Sequence, residues 1–91
     1  MIVWSEEAKL SYENTIDFIL ENWEIEIAER FEKITNTLLD QLLINKKLCP
    51  ESKIKALRKC ILHKNTSLIY RVRKNNIELV AFIDNRSEHS F

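Results

Sequence analysis

Arg86 closes the run Leu79-Val-Ala-Phe-Ile-Asp-Asn-Arg86, and an arginine just past a strand end is held by a rigid element yet open to water, placed to meet a phosphate or a carboxylate. A second group of cations precedes it, with Lys53, Lys55, Arg58, Lys59 and Lys64 crowded into one stretch. Such a group can pair with nucleic acid or with an acidic protein, and its plain alternative is a set of solvated loop lysines. Arg58, Lys59 and Arg86 are the candidates for contact with a target. Cys60 and His63 are three apart on an expected strand and so face opposite sides, and no other pair has zinc-ligand spacing, so no metal site is expected. The chain has Gly 0, which removes every glycine-rich phosphate cradle, because those need backbone approaches that a Cβ blocks. No nucleotide or other cofactor is expected.

The elements that must position these residues follow from periodicity. Ile2-Val3-Trp4 is a short strand, and Ser5 followed by Glu6-Glu7 is an N-cap with acids in the positive first turn. Ala8, Tyr12, Ile16, Ile19 and Trp23 then recur at helical spacing, and the helix ends near Asn22. A second stripe, Ile27, Phe31, Ile34, Leu38 and Leu42, repeats the spacing, so a short link forces an antiparallel helical hairpin. The stripes should face the core, while the far side of the hairpin can serve as a docking surface. Asn45 to Ala56 holds the one proline, Pro50, among lysines and polar residues, and is expected as a flexible loop. Three strands follow, over Leu57 to His63, Ser67 to Arg73 and Ile77 to Asp84, the last two flanking a turn at Asn75-Asn76, since Asn tolerates positive φ. On the middle strand Leu68, Tyr70 and Val72 share one face and Ile69, Arg71 and Arg73 the other. The fold class is α+β: a small antiparallel sheet, β-α-α-β-β-β, with the helical hairpin packed on one face.

At 91 residues the chain forms a single domain, 1–91, with no apolar run long enough to span a bilayer. No signal peptide is visible at Met1-Ile-Val-Trp4, so the expected location is cytoplasmic, where Cys49 and Cys60 would remain thiols acting as small hydrophobes. The net charge of +0 hides a split: residues 1–45 carry three bases against ten acids, leaving −7, and residues 46–91 carry eleven bases against four acids, leaving +7. The molecule is a dipole whose basic half suits a polyanion or an acidic partner.

Val3-Trp4-Ser5 before the first helix, Trp23 between helices, Leu68-Ile-Tyr-Arg-Val72 and a last strand ending in Asp84-Asn85-Arg86 together resemble the RelE/ParE superfamily of bacterial toxins, over nearly the whole chain. The resemblance implies the toxin half of a type II toxin-antitoxin pair, a growth inhibitor held silent by an antitoxin protein whose C-terminal segment wraps it. RelE-like and HigB-like members cut mRNA on the ribosome, and ParE-like members poison DNA gyrase. Ribosome-dependent cleavage needs a base, cations on the phosphorane and a proton for the leaving oxygen. Aligning Tyr70 with the strand tyrosine of RelE-like toxins puts Arg58 and Cys60 where they carry two lysines, Ser67 where they carry an arginine and Arg86 where they carry a second. Phe91 falls about where their catalytic tyrosine does, and a phenyl ring stacks but transfers no proton. The resemblance therefore favours a ParE-like toxin with no catalysis of its own, inhibiting gyrase. The alternative is a ribosome-dependent endoribonuclease using Arg58, Arg86 and His89, whose imidazole titrates near neutrality. A third reading is a non-toxic protein-binding module that keeps only the fold.

Overall fold

The computed structural model describes residues 1–63, 65–86 and 91. The chain runs β1 (Ile2–Trp4), α1 (Glu6–Asn22), α2 (Ile25–Ile44), β2 (Arg58–His63), β3 (Thr66–Arg73) and β4 (Asn76–Asp84), the order expected from the sequence. The strands form one sheet in the order β1-β4-β3-β2. β2 pairs with β3 and β3 with β4 antiparallel, but β1 lies parallel to β4, with Ile2 beside Ile77 and Trp4 beside Leu79. The expected all-antiparallel sheet is thus mixed at one edge. A parallel neighbour needs a long crossover, which the helical hairpin and the meander between β1 and β4 supply.

The core lies between one sheet face and the helices. Leu68, Tyr70, Ile77, Leu79 and Phe82 meet Ala8, Ile19, Phe31 and Leu42. β1 covers β4 only as far as Leu79, and α1 takes over beyond it. β4 carries an extra residue there, Val80, because Ile69 pairs with Ala81 and Tyr70 with Leu79. Ser5 Oγ donates to the Val80 carbonyl at 2.9 Å while accepting from the Ala8 N–H at 3.0 Å, so one hydroxyl caps the helix and satisfies the bulge. Ser11 Oγ accepts from the Phe82 N–H at 2.9 Å. Two serines on the first turns of α1 therefore stand in for the missing strand.

The helical stripes depart from the sequence pattern at two places. Trp23 is not buried but 52% exposed, because α1 ends at Asn22 and Trp23 has extended φ −140 and ψ −178, which takes its side chain out of the helical register. In α2 the buried positions are Ala28, Phe31, Thr35 and Leu42, and Ile34 faces outward. Thr35 can be buried because its hydroxyl donates to the Phe31 carbonyl at 2.9 Å within the same helix.

The β3–β4 turn is one residue earlier than expected. Arg73 pairs with Asn76, leaving Lys74 and Asn75 as the loop, both at positive φ (50 and 68), the form of a type I′ hairpin. A third left-handed residue is Ala56, at φ 73, in the loop before β2. A side chain there costs about 1 kcal/mol that glycine avoids, offset in part by the freer unfolded chain that glycine brings. Ala56→Gly should raise stability by about 0.5 kcal/mol, read as a higher urea midpoint at unchanged slope.

The loop from Asn45 to Ala56 is pinned rather than free. Cys49 and Cys60 form a disulfide, so the expected pair of thiols is corrected: the loop folds back along β2 and brings the two sulfurs together. The buried Tyr70 hydroxyl donates to the Lys46 carbonyl at 2.9 Å and accepts from the Cys49 N–H at 3.3 Å. The Lys59 N–H donates to the Pro50 carbonyl at 3.0 Å, and Glu51 bridges to Arg58 across the outer edge of β2.

Candidate functional site

The residues singled out from sequence do not gather in one place. Arg58 stands beside Tyr70, whereas Asp84 stands beside Thr66. Tyr70 and Thr66 are four residues apart on β3, roughly 13 Å, and Arg86 lies beyond Asp84 in a turn. The two arginines are thus separated along the sheet, Arg58 level with its middle and Arg86 beyond one end. Lys59 follows Arg58 on β2 and its side chain leaves from the other face. His89 and Lys64 lie outside the described residues.

Each arginine is already engaged. Arg58 Nη1 donates to the Cys49 carbonyl at 2.6 Å. Its charge and the Cys49 backbone bond pull the Tyr70 phenol down, but burial outweighs both and raises it. Arg86 turns back on Asp84, with Nε to Oδ1 at 3.1 Å, Nη2 to Oδ2 at 2.8 Å and the backbone N–H to Oδ1 at 2.8 Å. The carboxylate that this arginine was placed to meet is its own neighbour.

The Arg86 side-chain bond, its backbone N–H and its charge hold the Asp84 carboxyl below the usual aspartate range. A lowered carboxyl supports the folded arrangement above its ordinary pKa and loses that support as pH falls through the lowered value. The clamp should therefore open only in acid below the ordinary aspartate range. An NMR titration of the Asp84 carboxyl carbon checks this, and Arg86→Ala, which removes the guanidinium but keeps the backbone N–H, should bring it part of the way back to the ordinary range.

Cys60 and Ser67, which the resemblance aligns with cationic positions of RelE-like toxins, are both buried. Cys60 is in the disulfide, and the Ser67 hydroxyl donates to Asn85 Oδ1 at 2.7 Å. Neither offers a base or a cation to a substrate. Among the described residues no group of histidine, cysteine, aspartate and glutamate is arranged to hold a metal ion, and no helix is long and apolar enough to cross a membrane.

A different site emerges at the end of the sheet. His63, Thr66 and Asp84 stand side by side across β2, β3 and β4, and above them a groove of about 620 Å³ opens against the helical hairpin. Phe18, Trp23, Ile27 and Ile34 line its helical wall, Phe82 lies beneath, and Arg30, His63, Asp84 and Arg86 stand among the polar groups. The Phe18 and Trp23 rings meet edge to face at 5.5 Å, which fixes two half-exposed aromatics as one apolar surface. A second groove of about 390 Å³ shares Arg30 and Ile34 and continues between α2 and β2 to Ile61, which is 75% exposed.

Aromatic and aliphatic walls with cations at the edge suit an amphipathic protein segment that carries acids. Two signals in the sequence point here: Phe18 falls off the buried stripe of α1, and Arg30 and Lys33 are the bases of an otherwise acidic α2. Both are visible only once the buried face is known.

The family model described as ParE toxin of type II toxin-antitoxin system, parDE, matches residues 2–89. Comparison with curated proteins finds no match. Among solved structures, a chain of the chromosomal ParDE TA system from P. aeruginosa superposes with a TM-score of 0.76 at 15% identity, over 91% of this chain and 92% of that one. A chain of the heterotetrameric YoeB-YefM toxin-antitoxin complex from Staphylococcus aureus gives 0.64 at 20% identity, over 91% and 93%. The YoeB dimer from Staphylococcus aureus gives 0.65 at 19% identity, over 90% and 92%. At such identities the structural likeness is one of fold.

Proposed function

The chain belongs to the ParE toxin family of type II toxin-antitoxin systems, and from that premise we propose that it stops growth by binding DNA gyrase, without catalysis of its own. One observation carries this reading. The positions that would supply a ribonuclease with its cations are a disulfide sulfur at Cys60 and a buried serine at Ser67, and the remaining two, Arg58 and Arg86, lie apart and are each engaged. A phosphorane needs its base, acid and cations within hydrogen-bond reach of one atom. Arg58, Lys59 and Arg86 are then recognition residues.

The partner that silences the toxin is an antitoxin protein. The ParDE and YoeB-YefM assemblies, which share this fold, support that, and the apolar groove edged by Arg30, His63 and Arg86 is the surface its chemistry suits.

Expression without an antitoxin tests the target. Cells should stop dividing with relaxed or cleaved plasmid and a DNA-damage response, and Arg58→Ala or Arg86→Ala should weaken the arrest about tenfold or more at equal protein level. Intact DNA beside shortened transcripts would instead favour the endoribonuclease of Arg58, Arg86 and His89. Full growth at good expression would leave a non-toxic binding module.

A further inference from the structure

The Cys49–Cys60 bond joins the loop after α2 to the middle of β2 across a sequence separation of 11. Three contacts depend on that loop lying back on the strand. The Cys49 carbonyl accepts from Arg58 Nη1 at 2.6 Å, the Pro50 carbonyl accepts from the Lys59 N–H at 3.0 Å, and the Leu57 carbonyl accepts from the Ser52 N–H at 2.8 Å, the last two bonds making the antiparallel backbone bridge between Glu51 and Arg58. All three fall inside the loop that the disulfide closes. The core takes in Cys49, Cys60 and Leu62, but most of its buried residues come from β3, β4 and the helices, and the Tyr70 hydroxyl is a second grip on the loop. β2 is also an edge strand, so what covers its free side decides whether an extended segment can add to the sheet there.

We infer that the disulfide is a redox latch: oxidised, it holds residues 49–57 over the outer edge of β2 and keeps Arg58 on the Cys49 carbonyl; reduced, it releases both while the sheet and helical hairpin stay folded. The reductant is a dithiol. Its first thiolate attacks Sγ of Cys49, the less buried residue of the pair at 9% exposed against 2% for Cys60, forming a mixed disulfide as the Cys49–Cys60 bond breaks. Cys60 leaves as a thiolate and takes a proton. The second thiolate of the reductant closes its own disulfide and expels the Cys49 thiolate, which takes another proton. Two electrons and two protons pass to the protein, and the dithiol is oxidised. The freed guanidinium and the open strand edge become available to a partner whichever macromolecule the toxin acts on.

Hydrogen exchange read by mass spectrometry on the full chain tests the latch. The disulfide-bonded protein is compared with the same protein reduced by dithiothreitol, then reoxidised with glutathione disulfide, the bond being followed by intact mass and thiol alkylation. On reduction the amides of residues 49–57 and of Lys59 should exchange at least tenfold faster while β3 and β4 keep their protection, and reoxidation should reverse the change. The Cys49→Ser, Cys60→Ser double variant should match the reduced form. Unchanged protection over residues 49–57 and Lys59 after complete reduction would overturn the latch. So would loss of protection throughout the sheet, which would mark the bond as a staple for the whole fold, or failure of the two cysteines to pair. The reduction cycle needs no substitution, so the result stands even where the variant folds poorly.

Discussion

Phe82→Ala should lower the stability of this toxin by about 3 to 5 kcal/mol, as expected for emptying a large buried ring site that cannot collapse. Phe82 is 5% exposed, and its ring centroid lies 5.7 Å from that of Trp4, 5.1 Å from Tyr12 and 6.5 Å from Phe31. Those partners come from β1, α1 and α2, so one β4 ring touches every layer of the molecule. The Phe82 backbone N–H bonds Ser11 Oγ at 2.9 Å, which ties α1 to β4 beside the ring. The same ring lies under the apolar groove, so the variant should lose partner binding along with stability. Urea denaturation gives the number. Phe82→Leu, which keeps most of the volume, should cost less than half as much, and a loss below about 1 kcal/mol for the alanine variant would contradict the single aromatic core.

Tyr70→Phe should cost about 2 kcal/mol, although it removes a single oxygen. The hydroxyl is the meeting point of the Lys46 carbonyl and the Cys49 N–H, and its loss leaves both without this partner beneath the loop. The phenyl ring itself still fills its place between Leu79 and the helices, so no cavity contributes. The loss should therefore be local: amides of residues 46–51 should exchange faster, with β3 and β4 unchanged. A uniform loss of protection would show that the loop is integral to the core instead of being clipped to it. In the disulfide-bonded form the covalent link limits the opening, so the variant and the reduced protein should show more than additive release when combined.

The element order was legible because each element announces itself locally. Ser5 with Glu6 and Glu7 marks the start of α1, and in the structure its hydroxyl accepts from the Ala8 N–H as an N-cap does. The alternation through Leu68, Tyr70 and Val72 marks β3, of which Leu68 and Tyr70 are fully buried. What periodicity cannot convey is which strand lies next to which, so the parallel pairing of β1 with β4 had no signature in three residues. The end of α1 near Asn22 was legible, but its effect on the next residue was not. Ending α1 one position before Trp23 turned an expected core residue into a wall of the groove.

The site was less legible than the fold. A composition of lysines, polar residues and one proline suggested a flexible loop at Asn45 to Ala56, because its anchors are distant in sequence: Cys60 and the Tyr70 hydroxyl. Arg86 was correctly placed just past the last strand, but its bidentate return to Asp84 depends on turn geometry that residue types do not convey. The groove depends on Phe18, Trp23, Arg30 and His63 from three separate segments, none of which forms a motif with another.

The proposal that gyrase is the target, supported by the family relationship, the burial of Cys60 and Ser67 and the separation of Arg58 from Arg86, predicts one biochemical outcome. Purified toxin added to DNA gyrase with relaxed plasmid and ATP should suppress supercoiling and trap cleaved DNA, while mRNA on purified ribosomes stays whole. Supercoiling at the full rate beside fragmented ribosome-bound mRNA would contradict the account.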